Sequence, residues 1–337
     1  MNFLTIDPGH TLSLAVPPGQ PELVHVFEKD AIDAVNAALA AGRPLLLGGE
    51  PGIGKTQLAR AVAKELGRAF IQHVVDAQGE SRDLLWYFDA VARLAEAQWR
   101  GAVGQDPETL RQALAVDNFL RPGPLWWAFD WNDALAQVIR VHMAPPHQRD
   151  GGCHEQGCVV LVDEIDKAET DLPNGLLEAL GAGEFTPFGR TRPVTAGDPG
   201  PLVIITTNQE RTLPDAFVRR CLVLNLRFPD GPQTRPDGTP DSDQDAPKEL
   251  TPEEFLRARG KSHFPDADPA VIGEAARSLL EDRLEARQQQ RQPLPGQAEF
   301  LDLLRAVLRL FPNDVALQQE KLAEISRFTL KKHLGAG

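Results

Sequence analysis

The chain has 337 residues, enough for one large or two modest domains with a sizeable core. Hydrophobic residues make up 42% and charged residues 25%, an ordinary globular balance, and no apolar run approaches the roughly 20 residues that span a bilayer. The formal net charge of −13 argues against a sequence-independent grip on nucleic acid, which needs a basic surface. Residues 1–20 lack a basic segment followed by an apolar one, so no secretory signal is expected, and three cysteines read as reduced thiols in a cytoplasmic protein.

The first strong element lies near residue 45. Pro44–Leu47 is an apolar run that reads as a buried strand. Gly49-Glu50-Pro51-Gly52-Ile53-Gly54-Lys55-Thr56 follows and fits G-x-x-x-x-G-K-[ST] at every fixed position. From Gln57 to Leu66 a helix is expected, with Leu58, Val62 and Leu66 on one face and Gly67 as its stop. A glycine-rich loop between a strand and a helix N-terminus lets backbone N–H groups converge on phosphate oxygens, and the helix dipole adds to that field. In such a loop Lys55 reaches the β- and γ-phosphates of ATP, and Thr56 offers its hydroxyl to Mg²⁺.

Ala69–Val75 reads as a second strand. From Asp83 the spacing predicts a helix with Leu84, Phe88, Val91, Ala95 and Trp99 on one face, broken over 101–107 and resumed from Glu108 to Val116. The aromatics Trp86, Tyr87, Phe88 and Trp99 suit either core packing or a grip on a partner. Trp126, Trp127, Phe129 and Trp131 read mainly as packing. Residues 142–157, dense in Pro and Gly, are expected as a surface loop. Cys153, His154 and Cys158 match no standard zinc spacing, and Cys158 opens the next, buried strand, so a polar loop with an incidental thiol is expected there.

Cys158–Val162 is that strand, an apolar run suited to a central parallel position, and it delivers Asp163-Glu164 at its C-terminal end, where open α/β sheets place ligands. Asp163 is the candidate for the Mg²⁺ shell and Glu164 for orienting the attacking water. A hairpin is expected within 181–201, with Gly189 in its turn. Leu202–Thr207 is a third strand, ending at Asn208, which either positions water near the γ-phosphate or caps a loop. Pro214-Asp215 starts a short helix closed by Arg219 and Arg220. These arginines either complement the helix C-terminus or reach a neighbouring subunit to neutralise transition-state charge.

The order of phosphate loop, Asp-Glu strand, Thr-Asn strand and Arg-Arg helix resembles an AAA+ ATPase. The stretches Ala34–Leu39, Gly42–Leu47, Arg121–Leu125, Leu161–Ala168, Pro173–Glu178 and Leu213–Phe217 are similar to the MoxR family. The resemblance covers about residues 25–230. It implies a P-loop NTPase fold, a doubly wound parallel α/β sheet followed by a small all-α lid. It further implies an ATPase that hydrolyses ATP to ADP, forms a homo-oligomeric, hexameric ring, remodels protein clients and works with a partner carrying a von Willebrand A domain. Residues 81–121 correspond to an insert in the family's second helix that faces the ring's pore. The catalytic set carried over is Lys55, Glu164, Asn208 and Arg220. The phosphate-binding set is Gly49 to Gln57 (Gly49, Glu50, Pro51, Gly52, Ile53, Gly54, Lys55, Thr56 and Gln57), with Mg²⁺ on Thr56 and Asp163. Two other classes share such a core: a nucleic-acid motor or translocase, which stimulation by DNA or RNA would reveal, and a nucleotide-controlled scaffold with slow, partner-insensitive turnover.

Residues 231–248, rich in Pro and Asp, read as an acidic linker that separates a core of 1–230 from a helical segment of 249–337. In that segment Thr251-Pro252-Glu253-Glu254 starts one helix. Ile272, Leu279, Leu280 and Leu284 mark a second, Phe300, Leu303, Leu304, Val307 and Leu308 a third, and Leu317, Leu322, Ile325 and Phe328 a fourth. Lids of the AAA+ type often present an arginine at the start of their third helix. Residues 293–299 contain none, and Arg291 and Arg305 flank them.

Overall fold

The computed structural model describes residues 2–76, 79–168, 171–229 and 250–330. The linker expected over 231–248 lies outside the described residues, as does the tail from 331. The described residues form two compact units that do not follow chain order. One comprises residues from 1–9, 27–48 and 56–225, the other residues from 10–26, 49–55 and 226–337.

The first unit is built on a five-stranded sheet. In chain order its strands are β1 (Leu45–Gly49), β2 (Arg68–Val74), β3 (Cys153–Asp163), β4 (Leu202–Thr207) and β5 (Leu222–Leu226), and across the sheet the order is β5-β1-β4-β3-β2. β4 pairs in parallel with both β1 and β3, and β3 with β2. Leu45–Leu47, Val159–Val162 and Leu202–Ile205 are buried, as central strands covered on both faces require. Because β4 enters between β1 and β3, the C-terminal ends of these three strands lie side by side, with Thr207 opposite Gly48 and Ile205 opposite Val162. β3 begins at Cys153, five residues before the expected Cys158. Its opening residues Cys153–Gln156 are polar and solvent-facing, so they carry no apolar signal.

Helices α1 (Lys29–Ala41) and α2 (Lys55–Glu65) flank β1 in sequence. α2 starts at Lys55, two residues ahead of the expected Gln57, and the chain leaves it through Gly67 at φ 65°. The single-face helix expected from Asp83 does not form. Ser81–Leu84 is a 3₁₀ turn, Trp86–Phe88 is a strand paired antiparallel with Leu120–Pro122, and only then does α3 (Ala90–Ala102) begin, followed by α4 (Pro107–Ala113). The helical spacing was misleading here because the strand's partner lies more than 30 residues downstream, beyond any local window. Leu84 is buried and Trp86 and Phe88 pack on the core, whereas α3 buries no side chain and Trp99 is 59% exposed. The aromatics of this region therefore belong to two different surfaces.

The chain continues through α5 (Pro124–Phe129), α6 (Trp131–Arg140), α7 (Asp171–Ala182) and α8 (Asp215–Val218). Trp126, Trp127 and Phe129 are buried, in keeping with a packing role. The expected hairpin forms as Glu184–Phe185 against Val194–Thr195, with Gly189 at φ 73° in its loop. Its tip is held by Arg190, which donates to Asp117 at 3.3 Å, Asp133 at 2.8 Å and Gln137 at 2.7 Å. The guanidinium also lies over Trp126 at 4.6 Å, and the Trp126 indole donates to Asp133 at 2.8 Å. Phe188 completes the dock against Phe88, ring centres 5.0 Å apart.

The second unit holds an antiparallel ribbon (Thr11–Leu14 with Leu23–Val26) and the helices α9 (Pro252–His263), α10 (Pro269–Gln288), α11 (Gln297–Leu310) and α12 (Val315–Thr329). α9 starts where expected. Thr251 and Glu254 form a reciprocal capping box and Pro252 occupies the first turn. Ile272, Leu279, Phe300, Leu303, Leu304, Val307 and Leu322 form the helical core, while Leu284 and Phe328, expected with them, are exposed.

Arg190→Met is expected to destabilise the first unit by about 1–3 kcal/mol, because it leaves the half-buried carboxylates Asp117 and Asp133 without this partner. Urea denaturation followed by tryptophan fluorescence measures it, since Trp126 reports the site directly.

Candidate functional site

The C-terminal ends of β3 and β4 bring together the residues that the sequence singled out at each strand end. Asp163 closes β3 and is almost fully buried. The Thr206 hydroxyl, buried on β4, donates to Asp163 Oδ1 at 2.6 Å and accepts from the Glu164 N–H at 2.9 Å. One hydroxyl thus fixes the side chain of the first carboxylate and the backbone of the second. Thr56, in the first turn of α2, donates to Asp163 Oδ2 at 3.0 Å, and Gln72 from β2 donates to the same oxygen at 3.2 Å.

Glu164 sits at φ 62° and ψ 50°, a left-handed conformation that glutamate rarely adopts. The Thr206 bond is one restraint that holds it there; strain of this kind collects at functional sites. Its carboxylate is shared. Lys167 Nζ lies 2.5 Å from Oε2, and Asn208 Nδ2 donates to Oε1 at a long 3.4 Å. The hydrogen bond to Glu164 is the main cause that raises the Lys167 pKa above its ordinary value. Asn208 is itself positioned by Asp166, a buried carboxylate that accepts from the Asn208 N–H at 3.3 Å and from the Glu210 N–H at 3.0 Å.

The loop 49–55 belongs to the second unit. Gly49 needs to be glycine. Its φ is 146°, and a Cβ would stand 2.4 Å from the Leu226 carbonyl oxygen. Lys55 is buried, and its ammonium donates to the carbonyls of Gly49 at 2.6 Å and Glu50 at 3.1 Å. Thr56 follows Lys55 directly in the chain.

Arg219 and Arg220 lie just past α8, and both are exposed. Arg43 pins this turn through its backbone, donating to the Arg220 carbonyl at 3.0 Å and also to the Arg219 carbonyl. Among the described residues no side-chain hydrogen bond engages either guanidinium. The structure therefore groups Thr56, Asp163, Glu164 and Asn208 directly, and leaves Arg220 facing outward.

A Mg²⁺ ion suits the donor set here. Thr56 and Asp163 supply two hard oxygens within 3.0 Å of one another, and Mg²⁺ takes oxygen ligands, one or two of them from protein. Among the described residues no group of three or more His, Cys, Asp or Glu is arranged to hold a metal. Cys153 is exposed, whereas burial pushes the thiols of Cys158 and Cys221 up to about 12 and about 11.

Thr206, Gln72, Asp166 and Lys167 were not singled out from the sequence. Thr206 lay inside the Thr-Thr-Asn strand end, and Asp166 and Lys167 inside the Leu161–Ala168 stretch that carries the family resemblance, which were the available signals; Gln72 had none. Thr206→Val keeps the shape and removes both bonds, leaving the Glu164 N–H without this acceptor. A loss of about 1–3 kcal/mol of stability is expected in thermal unfolding, with Thr206→Ser retaining most of it.

Three comparisons bear on this arrangement. A family described as the AAA domain (dynein-related subfamily) matches residues 44–221, more than half of the chain. No curated protein matches it. Among solved structures, a crystal structure from Cytophaga hutchinsonii ATCC 33406 described as "a putative ATPase" aligns at 14% identity and a TM-score of 0.33, covering 90% of this chain and 85% of that one. With the strand order β5-β1-β4-β3-β2 and a phosphate loop between β1 and α2, the chain belongs to the AAA domain family, dynein-related subfamily.

Proposed function

We propose that this chain is a MoxR-like AAA+ ATPase that binds ATP with Mg²⁺, hydrolyses it to ADP and phosphate, and works in the cytoplasm as a ring-forming remodeller of protein clients. The observation that carries the ATPase reading is the Thr206 hydroxyl bridging Asp163 and Glu164, with Thr56 on the same Asp163 carboxylate. This is a metal-side carboxylate next to a water-side carboxylate, both at the end of the strand pair that adjoins the phosphate loop's strand.

In this reading the backbone N–H groups from Gly49 to Gln57 and the Lys55 ammonium hold the phosphates. Thr56 and Asp163 would hold Mg²⁺, which when bound neutralises charge on the β- and γ-phosphates. Glu164 orients and polarises the attacking water, with Asn208 tuning the carboxylate's direction. Lys167 keeps one Glu164 oxygen engaged and leaves the other, towards Asn208, for water. Arg220 has no intrachain side-chain acceptor among the described residues, which supports delivery of its charge to the site of a neighbouring copy. The hexameric ring, the protein client and the von Willebrand A domain partner rest on the MoxR resemblance.

Glu164→Gln is expected to bind ATP with near wild-type affinity and to lower kcat by a factor of about 10²–10⁴; turnover at the wild-type rate overturns the role of Glu164. Arg220→Ala is expected to lose activity alone and to regain part of it when mixed with Lys55→Ala, since a mixed interface in one of its two orientations pairs an intact loop with an intact arginine. Steady-state phosphate release across mixing ratios reads this, and a flat response in mixtures shown to co-assemble overturns the action in trans.

A further inference from the structure

The phosphate loop is held by the helical unit at several points, one of them a buried cation. Arg283 projects from α10 and its side chain is 2% exposed. A guanidinium out of water must be met by acceptors, or its desolvation is uncompensated. One terminal nitrogen of Arg283 donates to both carboxylate oxygens of Glu50, each at 2.9 Å, and another donates to the Pro295 carbonyl at 2.8 Å. The guanidinium also lies over the Phe228 ring at 4.4 Å. Glu50 is the second residue of the phosphate loop, so the loop itself supplies the counter-charge of the buried arginine. Two further contacts lie beside it. A Cβ on Gly52 would stand 2.8 Å from Cβ of Ala298, in the first turn of α11, and Ile53 packs against the helical core.

We propose that Arg283 is a positioning residue for the phosphate loop. It grips Glu50, and through Glu50 holds the loop backbone in the shape that receives phosphates. The helical unit thereby sets nucleotide affinity without placing an arginine at the head of α11, where residues 293–299 have none. By linkage, nucleotide bound to the loop stabilises the helical unit in return. The inference rests on the reading that the loop binds ATP.

The test uses the full chain with Mg²⁺ and a fluorescent ATP analogue, read by anisotropy, beside thermal unfolding of each variant without nucleotide. Arg283→Met and Glu50→Gln are each expected to weaken binding by about tenfold or more, equivalent to roughly 1.4 kcal/mol. The double variant should be no weaker than Arg283→Met alone, and Arg283→Lys should recover part of the loss by restoring the charge. Should Arg283→Met fail to fold, Glu50→Gln and Arg283→Lys carry the comparison. Variants that unfold earlier yet bind the analogue within about twofold of wild type overturn the inference, as do single losses that multiply in the double variant. A wild-type chain that binds no analogue overturns the ATP reading and this inference with it, whereas tight wild-type binding with an unaffected Arg283→Met overturns the inference alone.

Discussion

The Thr206 hydroxyl is the point on which the carboxylate site depends. It has one proton to give and lone pairs to accept with, and both capacities are used. The proton goes to Asp163, and a lone pair takes the Glu164 N–H. Asp163 is buried at the end of an apolar strand, so its charge must be met by donors. Thr206, Thr56 and Gln72 meet it, and they come from β4, α2 and β2. The same hydroxyl secures the left-handed turn at Glu164, which swings that side chain out of the strand direction towards Asn208 and Lys167. Three parallel strands ending side by side are what allow one threonine to do this.

A second carboxylate works at longer range. Asp166 takes two backbone N–H groups from the turn after β4, so the position of Asn208 is set by the same β3 end that carries Asp163 and Glu164. Arg43 plays the corresponding part for Arg219 and Arg220, binding their carbonyls while their side chains stay in solvent. In both cases hydrogen bonds to the backbone position the side chain: that of Asn208 reaches Glu164, while those of Arg219 and Arg220 are exposed. The loop 49–55 follows the same logic with Arg283, whose buried charge is matched by Glu50.

Away from this site, residues 81–122 and the hairpin 184–195 are joined by packing as well as charge. Phe188 lies on Phe88, and Arg190 reaches Asp117 and Asp133. α3 stands outside this join with no buried side chain, and Val91, Leu94, Trp99 and Val103 on it are exposed.

Much of this was legible in the amino-acid order, because the physics involved is local. The phosphate loop depends on glycines, a lysine and a threonine at fixed spacing. The central strands announce themselves as uninterrupted apolar runs, the helix start at Thr251 carries its own cap and proline, and the one at Asp215 is marked by Pro214. The strand at Trp86–Phe88 was misread because its partner, Leu120–Pro122, is distant in sequence and three residues carry little period of their own. The polar start of β3 at Cys153 was missed because solvent-facing polar residues resemble loop. Arg283 carried no signal, since an arginine in an amphipathic helix looks solvated until folding sets a glutamate from residue 50 beside it. Spacing along the chain marked the candidate groups for phosphate and metal. Only the packing of distant segments decided which donors hold those groups, because a buried charge recruits whichever acceptor or donor the fold brings within about 3 Å.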